Sequence, residues 1–458
     1  MTFGKNNYVI KTYEANGAKL TARAFLGAVY VDKPLDAEFQ KMNIFVPEIY
    51  YSGGEVNGYS LRKAPVFMPT LAGGYMPAVT AEPGPSFYNP SEANALFRAL
   101  ERGYVAACPA LRGRTRRFGK APACIVDYKA AVRFLRRFDG DIPGDKERII
   151  TSGTSAGGAL SALMGASGNS KDYAAYLDET GAADERDDIF AANCYCPITN
   201  LENADAAYEW QFSGVYGFHR MHMRLNEGGR PSFTPEDGTM TDKQALVSRD
   251  LEKLFPQYLN SLGLKDEKGA SLTLDADGDG SFKRYIEGLI AVSAGAEADS
   301  NRDFVRPCWL TGGNAVNFAE YAKNVTRMKT APAFDGLSLE SPENNLFGTD
   351  ELTGRHFTPY AYENSAVNGD LAGAFTVGLM NPMGYISKSA CAAHWRIRHG
   401  EADRDTSIAV SAMLALKLKN HGCAVDYHLP WNIPHSGDYD LEELFAWIDG
   451  LCGGRGDD

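Results

Sequence analysis

Ile149-Ile150-Thr151-Ser152-Gly153-Thr154-Ser155-Ala156-Gly157-Gly158 is the stretch on which the reading of this chain turns. A short β-branched run feeds a G-x-S-x-G pentapeptide, and small residues from Gly157 to Met164 open a helix. That layout predicts a nucleophile elbow, a sharp strand-to-helix turn that lifts a serine hydroxyl above a sheet. Gly153 and Gly157 lack the side chains that would collide in so tight a turn. The pentapeptide alone is common, so its setting has to agree.

Working outward, strand patterns at 43–46, 65–68, 104–108, 148–152 and 189–195 alternate with helical patterns at 92–102 and 125–138. In the second of these helices Ile125, Tyr128, Val132 and Leu135 recur at three-to-four spacing, with Lys and Arg on the other face. Such alternation predicts a mostly parallel sheet with helices on both sides. From about 197 to about 387 the rhythm stops, and the chain becomes rich in aromatics, Gly and Asp, with helices at 248–262 and 282–292. It then resumes as strand 394–399, helix 406–420, strand 424–429 and helix 440–451, with Gly422 suited to a left-handed helix cap. The economical organisation is one α/β core, residues 1–196 and 388–458, interrupted by a long insertion over 197–387.

The expected fold is an α/β-hydrolase, whose triad runs along the chain as nucleophile, acid, histidine. Ser155 supplies the first. The acid belongs in a loop after a late strand, and Arg398-His399-Gly400-Glu401-Ala402-Asp403 follows the apolar end of the 394–399 strand as H-G-x-x-D. The histidine belongs after the last strand, where Ile433-Pro434-His435-Ser436-Gly437-Asp438 stands. Ser155 Oγ then attacks an ester carbonyl, His435 takes and returns its proton, and Asp403 fixes the imidazole tautomer. Asp405, two residues on, is the rival acid. The oxyanion needs two backbone donors: the amide of Ala156, and one from the glycine-rich turn Leu71-Ala72-Gly73-Gly74-Tyr75, where Gly74 is the candidate.

Two further patterns carry less. Asp275-Ala276-Asp277-Gly278-Asp279-Gly280 looks like a calcium loop, but position twelve is Ile286, with Glu287 one residue late. His219-Arg220-Met221-His222 spaces two imidazoles one helical turn apart without a third ligand, which reads as a solvated helix face. Cys194-Tyr195-Cys196 would put two thiols on one strand face, yet no second pair at metal-like spacing accompanies it. Neither a metal nor a cofactor is expected. The eight cysteines are scattered and read as thiols rather than a disulfide framework.

Composition bounds the rest. A hydrophobic share of 44% and a charged share of 23% are those of an ordinary globular protein, and a formal charge of −12 argues against nucleic acid or an anionic membrane as partner. The polar start after Met1 shows no signal peptide and no run is long enough to span a bilayer, so a cytoplasmic protein is expected. The terminal Arg455-Gly456-Asp457 reads as accidental.

With elbow, acid loop and histidine loop in place, the surrounding blocks resemble bacterial tannases, the tannin acyl hydrolases of subtype B. The matching stretches are 68–75, Leu111-Arg112-Gly113-Arg114-Thr115, 149–169, Tyr208-Glu209-Trp210-Gln211-Phe212, Arg327-Met328-Lys329, Ser341-Pro342-Glu343-Asn344-Asn345-Leu346-Phe347-Gly348, 394–407 and 434–440. The resemblance implies an α/β-hydrolase with an inserted lid, a triad of Ser155, Asp403 and His435, and oxyanion donors at Gly74 and Ala156. It also implies that Lys329, Glu343 and Asp405 hold the three hydroxyls of a galloyl ring, and that the substrate is a small phenolic ester. A feruloyl or general aryl carboxylesterase, and a hydrolase-fold protein that binds without catalysis, are the alternatives.

Overall fold

The computed structural model describes residues 1–453 apart from 88, 226–230 and 313–314, and for 222–225 and 231–233 the backbone alone. The Arg455-Gly456-Asp457 tripeptide lies outside the described residues. The chain divides into two compact units. The first comprises Met1–Tyr195, Gly384–Trp395 and Gly437–Asp458, and the second Cys196–Met383 and Arg396–Ser436. The C-terminal part expected as one piece of the core is therefore shared between the two.

The first unit is built on seven strands: β1 (Val9–Ala15), β2 (Ala18–Val29), β3 (Lys41–Pro47), β4 (Pro65–Pro69), β5 (Val105–Pro109), β6 (Asp145–Thr154) and β7 (Ala191–Tyr195). Their spatial order is β1-β2-β3-β5-β4-β6-β7. β4, β5, β6 and β7 pair in parallel, whereas β1, β2 and β3 pair antiparallel, so the sheet is mixed. β4, β5 and β7 are buried at every position, as expected of strands covered on both faces. That is why β4 and β5 read as unbroken apolar runs. β1 and β2 were not expected. Asn16-Gly17 between them, both at positive φ, is the two-residue hairpin turn that turns the chain back on itself.

Helices Ala95–Glu101, Ala123–Arg137, Ala156–Ala166, Ala174–Thr180 and Leu441–Cys452 belong to this unit. Asn94 starts the first by accepting the Phe97 amide at 2.9 Å. Ala156–Ala166 is buried along its whole length, which its alanines, glycines and leucines allow.

The second unit contains β8 (Gly217–Leu225) and β9 (Pro231–Thr239), an antiparallel hairpin in register from Gly217↔Thr239 to Leu225↔Pro231. The helix expected at His219 and His222 is thus a strand. β10 (His394–Arg398), whose first two residues belong to the first unit, and β11 (Ala424–His428) stand where strands were expected. The helix expected at 248–262 is two, Asp242–Glu252 and Phe255–Ser261. Pro256 has no amide to donate and sits in the first turn of the second, where none is needed. Gly422 caps helix Ile408–His421 at φ 95°, as expected. Trp210 packs against Phe255, Phe282 and Phe318 at the centre of this unit.

Candidate active site

Ser155 stands at the end of β6 with φ 61° and ψ −120°, a conformation side chains rarely adopt. Such strain costs about 1–3 kcal/mol and persists only where neighbours hold it. The Ser155 amide donates to the Tyr195 carbonyl at 3.0 Å, and its own carbonyl accepts the Ala159 amide at 2.9 Å, the first bond of the helix. A Cβ on Gly153 would lie 2.4 Å from the Gly157 backbone, and one on Gly157 3.0 Å from the Ala72 carbonyl oxygen. The two elbow glycines are therefore contact requirements. The second of them lets the 70–75 turn lie against the helix start.

In that turn Gly74 and Tyr75 both have positive φ, 52° and 55°. The Arg114 guanidinium donates to the Gly74 carbonyl at 2.7 Å, and the Arg114 amide to the Tyr75 carbonyl at 2.9 Å. The Arg-Gly-Arg block thus braces the proposed oxyanion turn. Ala156 is the first helical residue after the serine.

The acid and the histidine lie in the second unit. Asp403 is fully buried, and its Oδ1 accepts the amides of Asp405 and Thr406 at 2.8 and 3.1 Å. Its Oδ2 accepts the His435 Nδ1 proton at 2.7 Å. A Cβ on Gly400 would stand 2.1 Å from the Ile433 carbonyl oxygen, so the glycine of H-G-x-x-D lets the two loops touch. Burial alone would push the Asp403 carboxyl up, but the charges of His435 and His399 and these hydrogen bonds hold it at about 2. Burial would likewise lower His435, and the Asp403 charge reverses this and carries it well above the usual imidazole value.

Beside this pair the Lys329 ammonium meets Asp405 at 2.6 Å and lies 3.9 Å from the centre of the Phe334 ring. Burial would lower Lys329, but the charges of Asp405 and of Glu343 raise it. Burial works the opposite way on Asp405, and Lys329 and then His435 outweigh it and lower its pKa. Glu343, buried, is held in a short helix, Pro342–Leu346, whose capping box joins Ser341 and Asn344.

The remaining blocks of the resemblance act as braces. The Tyr208 hydroxyl accepts the amides of Met328 and Lys329 at 3.0 and 3.1 Å and donates to the Arg404 carbonyl at 2.7 Å. Glu209 takes both terminal nitrogens of Arg327, at 2.5 and 2.9 Å, and the Ser248 hydroxyl at 2.6 Å. Arg327 Nε donates to the Lys329 carbonyl at 2.6 Å. Glu209 and Arg327 are both fully buried, so Glu209→Ala strands a guanidinium and is expected to cost about 3–5 kcal/mol, read as a lowered urea midpoint. A change below 1 kcal/mol would contradict the brace.

Other expectations fare differently. Asp275 Oδ1 accepts the amides of Asp277 and Asp279, both at 3.0 Å, so the acidic loop caps itself. Among the described residues one group of His, Cys, Asp and Glu gathers three potential ligand atoms within 4.8 Å, and it is Cys196, Asp403 and His435. None of the eight cysteines forms a disulfide. Cys196 does not share a strand face with Cys194: β7 ends at Tyr195, and Cys196 turns out of it at φ 34°. Its Sγ lies 3.8 Å from His435 Nε2. His399, also fully buried, has its Nε2 3.7 Å from Asp403 Oδ2. Neither neighbour was expected from the sequence. A cavity of about 430 Å³ opens at Arg404, bordered by Phe218, His219, Asp237 and Asn324.

A strained serine between a buried parallel strand and a buried helix, on a mixed sheet flanked by helices, defines an α/β-hydrolase-fold carboxylic ester hydrolase. Residues 69–211 match the BD-FAE family, and no curated protein matches the chain. The tannase of Lactobacillus plantarum is 45% identical over 98% of this chain and 99% of that one, with a TM-score of 0.94. The Fusobacterium nucleatum tannase is 44% identical over 98% and 99%, with a TM-score of 0.93. A tannin acyl hydrolase in complex with ethyl gallate is 44% identical over 98% of each chain, with a TM-score of 0.90. This chain belongs to the bacterial tannase family.

Proposed function

We propose that the protein hydrolyses galloyl esters, hydrolysable tannins and alkyl gallates alike, and releases gallic acid. The observation that carries this reading is the Lys329–Asp405 ion pair, with Glu343 acting on the same ammonium and Asp405 on the imidazole of the Asp403–His435 pair. A trihydroxyphenyl ring offers hydroxyls that both donate and accept. Carboxylates take their protons and an ammonium donates back, in charge-assisted hydrogen bonds.

In this mechanism Ser155 Oγ adds to the ester carbonyl as His435 Nε2 takes its proton. The amides of Ala156 and Gly74 donate to the oxyanion. Collapse expels the alcohol, which receives the proton from His435, and leaves galloyl-Ser155. Water then adds by the same route, and gallate departs. The reading requires His435 Nε2 to reach Ser155 Oγ in the working enzyme. Two observations support it. The Tyr195 carbonyl binds the Ser155 amide, and the next residue, Cys196, lies against His435 Nε2. A Cβ on Gly437, two residues after the histidine, would lie 1.9 Å from Thr154 Oγ1, beside the nucleophile. In this reading the 197–387 insertion serves as a lid that supplies two of the ring-binding groups, Lys329 and Glu343, and the acid loop supplies Asp405. The protein works in the cytoplasm, and among its described residues no helix is long and apolar enough to cross a membrane.

Removing Asp405 tests the ring assignment, because only a hydroxylated ring bonds to it, whereas its weaker effect on His435 is common to all esters. Asp405→Ala is expected to lower kcat/KM for methyl gallate about 100-fold, the value of a lost hydrogen bond to a charged group, and for a butyryl ester only a few-fold. Equal losses on both substrates would reject the ring cradle. Turnover of methyl ferulate matching that of methyl gallate would reject the galloyl preference.

A further inference from the structure

Cys196 is a buried nucleophile that the proposed mechanism leaves unused. Its thiol points at the Ser436 carbonyl oxygen, 3.4 Å away, and at His435 Nε2, 3.8 Å away. The other imidazole nitrogen, Nδ1, is committed to Asp403 at 2.7 Å. Nε2 is thus the nitrogen with a lone pair to give once the ring is neutral, and a thiol stands beside it. The His435 side chain is 18% exposed, which leaves an approach from solvent.

We propose that Cys196 Sγ and His435 Nε2 form a chelating site for a soft divalent cation such as zinc or cadmium, and that its occupation stops hydrolysis. The stop, though not the binding, rests on His435 being the general base. Zinc prefers about 2.3 Å to sulfur and about 2.0–2.1 Å to imidazole nitrogen. A tetrahedral centre with those bonds sets its sulfur and nitrogen about 3.6 Å apart. The observed 3.8 Å is within a small side-chain adjustment of that figure.

Asp403 then plays the part that a carboxylate plays behind a metal-bound histidine: it holds Nδ1–H and leaves Nε2 to the ion. The charges of Asp403 and Asp405 both act on this imidazole and favour a cation there. Binding replaces the Sγ–H bond by an Sγ–metal bond, and the proton leaves to solvent. No electron is transferred. With its Nε2 lone pair bound to the metal, His435 cannot accept the Ser155 proton. Two protein ligands leave the remaining positions to water, so the ion is removable by a chelator. A hard cation such as magnesium has no use for a thiolate.

The test uses the full-length protein freed of metal with EDTA, titrated with cadmium while two signals are followed. One is the ultraviolet thiolate-to-cadmium charge-transfer band, and the other is methyl gallate hydrolysis. One equivalent of cadmium is expected to raise the band and abolish hydrolysis, EDTA to restore both, and magnesium to do neither. Cys196→Ser is expected to lose the one-equivalent band and to need about 100-fold more metal for any remaining inhibition. His435→Ala, scored by binding alone, is expected to weaken the band comparably, and it serves if the cysteine variant fails to fold. An undiminished one-equivalent band in both variants would assign the metal to another cysteine and overturn the site. A band that depends on Cys196 and His435 without loss of hydrolysis would keep the chelate, remove its inhibitory role, and count against His435 as the base.

Discussion

Ser155→Ala is expected to lower kcat for methyl gallate by about 10⁶-fold, to the residual level that binding and the oxyanion donors alone sustain. The loss is large because serine and histidine act as a unit, so removing either idles the other. Burst experiments should detect no galloyl-enzyme. The fold should persist, since alanine keeps the Cβ, and the two elbow glycines already clear the space around it. A companion substitution separates chemistry from strain. Ser155→Gly removes the same hydroxyl but lets φ 61° and ψ −120° be adopted freely. Strain relief of about 1–3 kcal/mol opposes a flexibility cost of about 1 kcal/mol in the unfolded chain. The glycine variant should therefore unfold at the same or a higher urea concentration than the alanine variant. A loss below 100-fold in Ser155→Ala would remove Ser155 from the nucleophile's role, and a glycine variant clearly less stable than the alanine one would show that the turn is not strained.

What was legible in the sequence was local. The elbow announces itself because strand, turn and helix are consecutive, and both of its glycines are needed within five residues. The acid loop is legible as H-G-x-x-D, but the reason for its glycine, the Ile433 carbonyl, lies more than thirty residues on. β1 and β2 were missed although Asn16-Gly17 is a strong hairpin signal. β1 has many exposed positions and no apolar run, and the apolar end of β2, Ala24–Val29, is interrupted by Gly27. β8 and β9 were missed because GFHRMHMRL and PSFTPEDGT are largely polar, and two histidines three apart match the spacing of one helix face. Lys329, Glu343 and Asp405 came from family resemblance alone. Three charges drawn from three separate segments leave no periodicity to read, and the bracing of Lys329 by Tyr208 and Glu209 belongs to tertiary structure. The proximity of Cys196 and His435, 239 residues apart, has no local signature at all.

Asp403→Asn is expected to lower kcat about 10⁴-fold and to move the pH profile, although the amide has nearly the shape of the carboxylate. The orientation of that amide is dictated by its neighbours. The amides of Asp405 and Thr406 both donate to Oδ1 and demand an oxygen there. The NH₂ group must then take the place of Oδ2, facing His435 Nδ1, where it can only donate. His435 is forced to carry its proton on Nε2, the nitrogen that has to accept from Ser155, and the base is lost while the fold is kept. The pH dependence follows from the same groups. A base works only when deprotonated, so kcat/KM should rise with pH through the His435 pKa. In the wild type burial lowers that value and the Asp403 charge, pulling harder, carries it well above the ordinary imidazole value. Without that charge burial is opposed only by weaker neighbours, and the inflection of the residual activity should move down. A pH–rate series on the variant decides the matter. An unchanged inflection, or a loss of less than tenfold, would mean that Asp403 neither orients nor charges the histidine, and the acid of the triad would have to be sought elsewhere.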